Sequence, residues 1–131
     1  GMAVGILIVS HPGVGAPLLA VARRLLGALP LATEAFEAEW DGSADALLPA
    51  ASAALRKVDS GDGVLVLVDL YGATPARLAE KLAHLGTPCR RVSGLSLPML
   101  LRVHNYPEYD LDELCRTAAA GARNGVVVDD A

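Results

Sequence analysis

Apolar runs and helical stripes alternate along this chain from one end to the other. Residues 4–9 (Val-Gly-Ile-Leu-Ile-Val) are unbroken apolar, the pattern of a strand buried on both faces. Over 16–29, Leu18, Val21, Ala22, Leu25, Leu26 and Leu29 recur at helical spacing, and Pro30 stops the helix. Residues 34–40 change period: Phe36, Ala38 and Trp40 fall on one face and Glu37 and Glu39 on the other, which predicts an edge strand with its carboxylates in solvent. After Asp41-Gly42 comes a helix over 44–58, with Ser43 as N-cap and Pro49 as an irregularity near its first turns. Ser60-Gly61-Asp62-Gly63 turns the chain into 64–68 (Val-Leu-Val-Leu-Val), the clearest central strand. A third helix starts at Thr74 as cap with Pro75 at its first position, and ends near Gly86. A weaker strand at 89–95, a short helix from Pro98 to about His104, a helix opened by the capping box Asp110–Glu113 and running to Asn124-Gly125, and a short strand at 126–128 complete the chain.

Strands alternating with helices call for an open, doubly wound, mostly parallel α/β sheet with helices on both faces. If the alternating second strand is an edge, the right-handed crossover rule yields the order 2-1-3-4. The first and third strands then flank the point where the winding reverses, and ligands of such sheets bind at the carboxyl ends of those strands. Length fits one domain over 1–131, with residues 1–3 read as a tag remnant and N-terminus. Apolar residues make up 53% and aromatics 4%, so the core is aliphatic. The net charge of −4 argues against nucleic acid as a partner. Cys89 and Cys115 lack metal-ligand spacing and read as cytosolic structural thiols. No metal site and no cofactor motif appears. The first apolar run is too short to span a membrane and lacks a basic leader, so a soluble, cytoplasmic protein without membrane insertion is expected.

The candidate chemistry sits at the switch point. His11 follows the first strand in Ser10-His11-Pro12-Gly13, and Asp69 ends the third in Val68-Asp69-Leu70. A carboxylate that accepts one ring N–H fixes the tautomer and turns the other nitrogen's lone pair outward, a nucleophile suited to phosphorus. The incoming negative charge needs donors, and Gly72, Ala73 and Thr74 at the start of a helix offer backbone N–H groups and a hydroxyl. Arg77 lies one turn further on. A lone histidine in a turn is most often a surface residue or a cap; the pairing with Asp69 at neighbouring strand ends is what raises the functional reading. His84 and His104 lack that context and are expected to be structural or solvent-exposed. Gly13-Val14-Gly15 does not complete a dinucleotide loop, and no phosphate-binding loop of the nucleotide-hydrolase kind occurs.

Three segments, Ile-Val-Ser-His-Pro-Gly-Val-Gly (8–15), Leu-Val-Asp-Leu-Tyr-Gly-Ala-Thr-Pro (67–75) and Gly-Leu-Ser-Leu-Pro-Met-Leu (94–100), resemble the mannose-type enzyme IIA component of the bacterial phosphoenolpyruvate:sugar phosphotransferase system. The resemblance covers roughly residues 4–127. It implies a phosphotransferase component whose His11 takes the phosphoryl group on Nε2 from the phosphocarrier HPr and hands it to a IIB component on a separate chain. Asp69 matches the aspartate on the other ring nitrogen, Thr74 the position often held by serine near the phosphate, and Pro98 and Met99 a stretch bordering the site. Ala73 stands where a second glycine is common. The resemblance also implies a homodimer, with residues 126–128 crossing to the partner's sheet. Alternatives are a regulatory module read by its phosphorylation state, the phosphotransfer subunit of dihydroxyacetone kinase, and a small-molecule-binding domain of the same architecture without phosphotransfer.

Overall fold

The computed structural model describes residues 3–130; the reading of the first two residues as a tag remnant lies outside the described residues. Its elements in chain order are β1 (Gly5–Ser10), α1 (Gly15–Leu26), β2 (Thr33–Glu37), α2 (Ala44–Val58), β3 (Val64–Val68), α3 (Thr74–Leu82), β4 (Cys89–Ser93), α4 (Leu97–Val103) and α5 (Leu111–Asn124). The four strands form one parallel sheet in the order β2-β1-β3-β4, as the crossover argument required. β1 and β3 are neighbours in register, Val9 opposite Val68, so the residues that follow them emerge side by side.

The pleat of the two central strands builds two cores. Ile6, Ile8, Leu65 and Leu67 face one way, onto Leu19 and Ala22 of α1, Met99, Leu100 and Val103 of α4, and Leu114 and Ala118 of α5. Leu7, Val9, Val64, Val66 and Val68 face the other, onto α2 and α3. Period-2 alternation therefore disappears from β1 and β3, which are buried throughout. Cys115 belongs to the first core and Cys89 packs against the second, so the sheet stands between the two free thiols.

Several boundaries differ from the sequence reading, each for a local reason. α1 ends at Leu26 rather than 29, because Gly27 takes φ +78° and its N–H caps back onto the Arg23 carbonyl. α3 ends at Leu82, four residues before Gly86. Its N-cap is Ala73 and not Thr74, so Pro75 occupies the second helical position. α2 does run over 44–58 with the Ser43 side chain capping it, and Pro49 is accommodated on an exposed face. β4 stops at Ser93, although the Leu95 N–H still reaches the Val68 carbonyl at 2.9 Å. β2 stops at Glu37, which takes Trp40 out of the strand and off the face shared with Phe36. Residues 126–128 form no strand within this single chain, and Val126, Val127 and Val128 are 74–80% exposed. No described helix is long and apolar enough to cross a membrane.

Candidate functional site

The site begins with the register of β1 and β3. One residue beyond each strand's last buried position, the backbone N–H of His11 donates to Asp69 Oδ2 at 2.9 Å. The same oxygen lies 2.8 Å from His11 Nδ1. One carboxylate oxygen thus holds both the backbone and the ring of the histidine. With Nδ1–H donating to that oxygen, Nε2 is left with its lone pair and no hydrogen-bond partner among the described residues. The imidazole is 23% exposed and the carboxylate 11%, so the ring reaches solvent more freely than its orienting partner. Asp69 Oδ1 is buried and receives no donor. An unpaired buried acceptor is costly in general, and here all of the carboxylate's directed bonding goes to His11.

The turn that carries His11 is braced from two sides. Ser10, fully buried, accepts from the Gly15 N–H at 2.8 Å. Gly15 is required there, since a Cβ would sit 2.8 Å from Ser10 Oγ and 2.9 Å from the Ile8 side chain. Glu37 supplies the second brace. Its carboxylate accepts from the N–H groups of Gly13 at 3.0 Å and Ala16 at 2.9 Å, closing the N-terminus of α1. The expectation of a solvated carboxylate face at Glu37 and Glu39 therefore holds only for Glu39, which is exposed. Sequence reasoning missed Glu37 because its partners lie more than twenty residues upstream on another element. The available signal was a carboxylate at the end of a strand beside a helix start that has no acidic residue of its own.

The two helix starts at this edge of the sheet differ. That of α1 is filled by Glu37 and Ser10. That of α3 has an alanine at its N-cap, no side-chain cap and no acidic residue in the first turn. Within the described residues no hydrogen bond engages the N–H groups of Gly72, Ala73 or Thr74, and Gly72 adopts φ +84°. The Thr74 hydroxyl, instead of capping the helix, accepts from Arg77 Nη2 at 2.9 Å. A helix start left open in this way attracts anions. Beside it a cleft of about 500 Å³ runs between α3 and β4, lined by Tyr71, Gly72, Arg77, Arg91 and Ser93 among others. Trp40 lies against the His11 ring on the opposite side, with centroids 5.3 Å apart and planes tilted by 38°.

The remaining candidates separate from this cluster. Met99 is fully buried in the α1–α4–α5 core, and Pro98 packs where a Cβ on Gly125 would fall. His84 is exposed. His104 is buried, its Nε2 3.3 Å from the Thr33 hydroxyl, and burial with the nearby Arg23 charge lowers its pKa to about 4.

A histidine oriented by a strand-end carboxylate, next to an open helix start in a doubly wound sheet, is an arrangement able to receive an anionic group on the free ring nitrogen. The family described as PTS system fructose IIA component matches residues 5–117, and the chain belongs to it as a mannose-type IIA component. The mannose-specific EIIAB component of Escherichia coli K12 is 30% identical to it over 95% of this chain and 39% of that protein. The chain spans 32–39% of the length of the curated relatives it matches first. Among solved structures, the mannose/sorbose specific IIA subunit from Enterococcus faecalis has a TM-score of 0.85 at 25% identity, over 99% of this chain and 97% of that one. An EIIA component from Streptococcus agalactiae shares the fold, with a TM-score of 0.81 at 22% identity over 95% and 96%.

Proposed function

We propose that this protein is a phosphohistidine carrier in which His11 Nε2 accepts the phosphoryl group of phospho-HPr and passes it to a IIB component, on the cytoplasmic side of the membrane. The single observation that carries the reading is the double engagement of Asp69 Oδ2 with the His11 backbone and Nδ1 at 2.9 and 2.8 Å. Nε2 attacks phosphorus as the donor's N–P bond breaks; the electron pair of that bond returns to the donor imidazole. The ring of His11 becomes cationic, and the Asp69 carboxylate stabilises it without taking the Nδ1 proton. The phosphoryl oxygens meet the unpaired N–H groups of Gly72, Ala73 and Thr74, with the Thr74 hydroxyl and Arg77 behind them. Onward transfer reverses the step at the same nitrogen. Membership of the IIA family supports the reaction class, and the exposed apolar residues Val14, Leu70 and Tyr71 around the histidine suit contact with protein partners.

The test is incubation with phosphoenolpyruvate, enzyme I and HPr. Acid-labile phosphate forms on the wild type and is absent from His11→Ala. Equal labelling of the two proteins would sink the assignment. Onward transfer to a IIB component, or instead to the nucleotide of a dihydroxyacetone kinase, identifies the acceptor. A binding partner that responds to the phosphorylated form without removing the phosphate marks a regulatory role.

A further inference from the structure

Trp40 is the chain's single tryptophan, and it is 72% exposed. A tryptophan contributes to a fold chiefly through the large area it buries, so one left this open does little for the core. Its ring contact is the imidazole of His11, at 5.3 Å and 38°. That distance falls where aromatic rings attract one another. The contact follows from the way β2 ends. The Ala38 N–H donates to the Ser10 carbonyl at 2.8 Å, which seats Ala38 in the core beside the end of β1. The chain then leaves the sheet, and the turn closed by Gly42 N–H on the Glu39 carbonyl at 3.0 Å delivers Trp40 over the His11 turn.

We propose that Trp40 is a positioning residue for phosphoryl transfer: its indole steadies the His11 ring from one side while Asp69 holds Nδ1, so that Nε2 keeps one direction. The proposal rests on His11 being the phosphorylated group. The hydrogen bond to Asp69 restrains one edge of the ring, but a carboxylate oxygen accepts over a broad range of directions, which leaves the ring free to swing about that contact. A second contact, on the ring's flank, removes this freedom. Alignment of the attacking lone pair with phosphorus then recurs in more of the encounters, which raises the rate within the docked complex rather than the affinity of docking. The indole also favours the cationic ring formed once Nε2 is phosphorylated with Nδ1 still protonated.

The test compares Trp40→Leu, which keeps apolar bulk without a π face, with Trp40→Phe, which restores a smaller one. Single-turnover transfer from phospho-HPr is measured over a range of donor concentrations. Trp40→Leu is expected to lower the maximal rate about two- to fivefold at an unchanged half-saturating concentration, and Trp40→Phe to recover most of the loss. Thermal midpoints should stay within ~2 °C of the wild type for both, because the position is a surface one. In the wild type the His11 ring-proton resonances should carry a ring-current shift that Trp40→Leu abolishes. A loss confined to the half-saturating concentration would make Trp40 a docking contact and overturn the proposal; so would an unchanged maximal rate, or His11 resonances insensitive to the substitution. A wild-type chain that takes up no phosphate defeats the proposed function and this role with it, whereas normal wild-type transfer matched by Trp40→Leu defeats this role alone.

Discussion

His11 and His104 show one side chain in two electrostatic settings. His11 meets a carboxylate and keeps a nitrogen toward solvent. His104 meets only a hydroxyl that itself donates to the Leu31 carbonyl, so the Thr33 oxygen accepts from Nε2–H and Nδ1 is buried without a partner. Protonating Nδ1 there would bury an unpaired charge beside Arg23, which is why the pKa falls from 6.5 to about 4. The folded chain therefore refuses a proton that the unfolded chain binds below pH 6.5, and stability is lost as pH falls from 6.5 toward 4. On the order of 2 kcal/mol should be gone by pH 5, at about 1.4 kcal/mol per unit. Urea unfolding at pH 7 and pH 5 measures the loss, and His104→Gln should flatten the difference. At the site, Asp69→Asn can set its amide oxygen where Oδ2 receives both His11 N–H groups and its NH₂ where Oδ1 is unpartnered. The turn is then preserved, while the charge that the proposed function assigns to stabilising a phosphorylated ring is removed. Phosphoryl transfer from phospho-HPr should slow by at least about tenfold with the fold intact by circular dichroism; an unchanged rate would refute the role given to Asp69.

Element ends decide more here than element interiors. α1 begins where Glu37 from β2 takes the Gly13 and Ala16 N–H groups, a cap supplied across space rather than from the preceding residue. Glu37→Ala should cost about 1 kcal/mol in chemical denaturation, with Glu37→Gln, which keeps one acceptor oxygen, in between. α2 carries the opposite device. Pro49 lies inside the helix and lacks the N–H that would bond the Asp45 carbonyl, yet it is exposed, so water can take that carbonyl. Pro49→Ala should stabilise the chain by roughly 1–3 kcal/mol, read as a rise in thermal midpoint. The same contrast explains which boundaries the sequence reveals. Ser43 and Asp110 cap their helices as their sequence context indicates, because each bond spans three residues. Thr74 does not cap because the helix begins one residue earlier than expected, with Ala73 at the N-cap, and its hydroxyl accepts instead from Arg77 on the same helix.

For the whole molecule, the parallel order leaves β2 and β4 as sheet edges, and β4 has nothing hydrogen-bonded to its outer side among the described strands. Val126–Val128 are β-formers held in solvent. A second copy of the chain, pairing these residues with its own β4, would satisfy both groups, as the mannose-type IIA resemblance implies. Light scattering should then report a dimer for the full chain and a monomer for one ending at Gly125, with helical content retained. A monomeric full chain at micromolar concentration would remove this part of the reading.

Local rules sufficed for the alternation of elements, the buried character of β1 and β3, and the order of the sheet, because these depend on periodicity, chirality and short-range capping. They sufficed also to bring His11 and Asp69 together, since two strand ends in a parallel sheet must meet if their strands are adjacent. They could not show that a carboxylate on the supposedly solvated face of β2 closes α1, or that Trp40 leaves the strand to lie against the imidazole. Those facts depend on where distant segments halt in three dimensions, and a hydrogen bond between residues twenty positions apart has no periodic trace in the sequence.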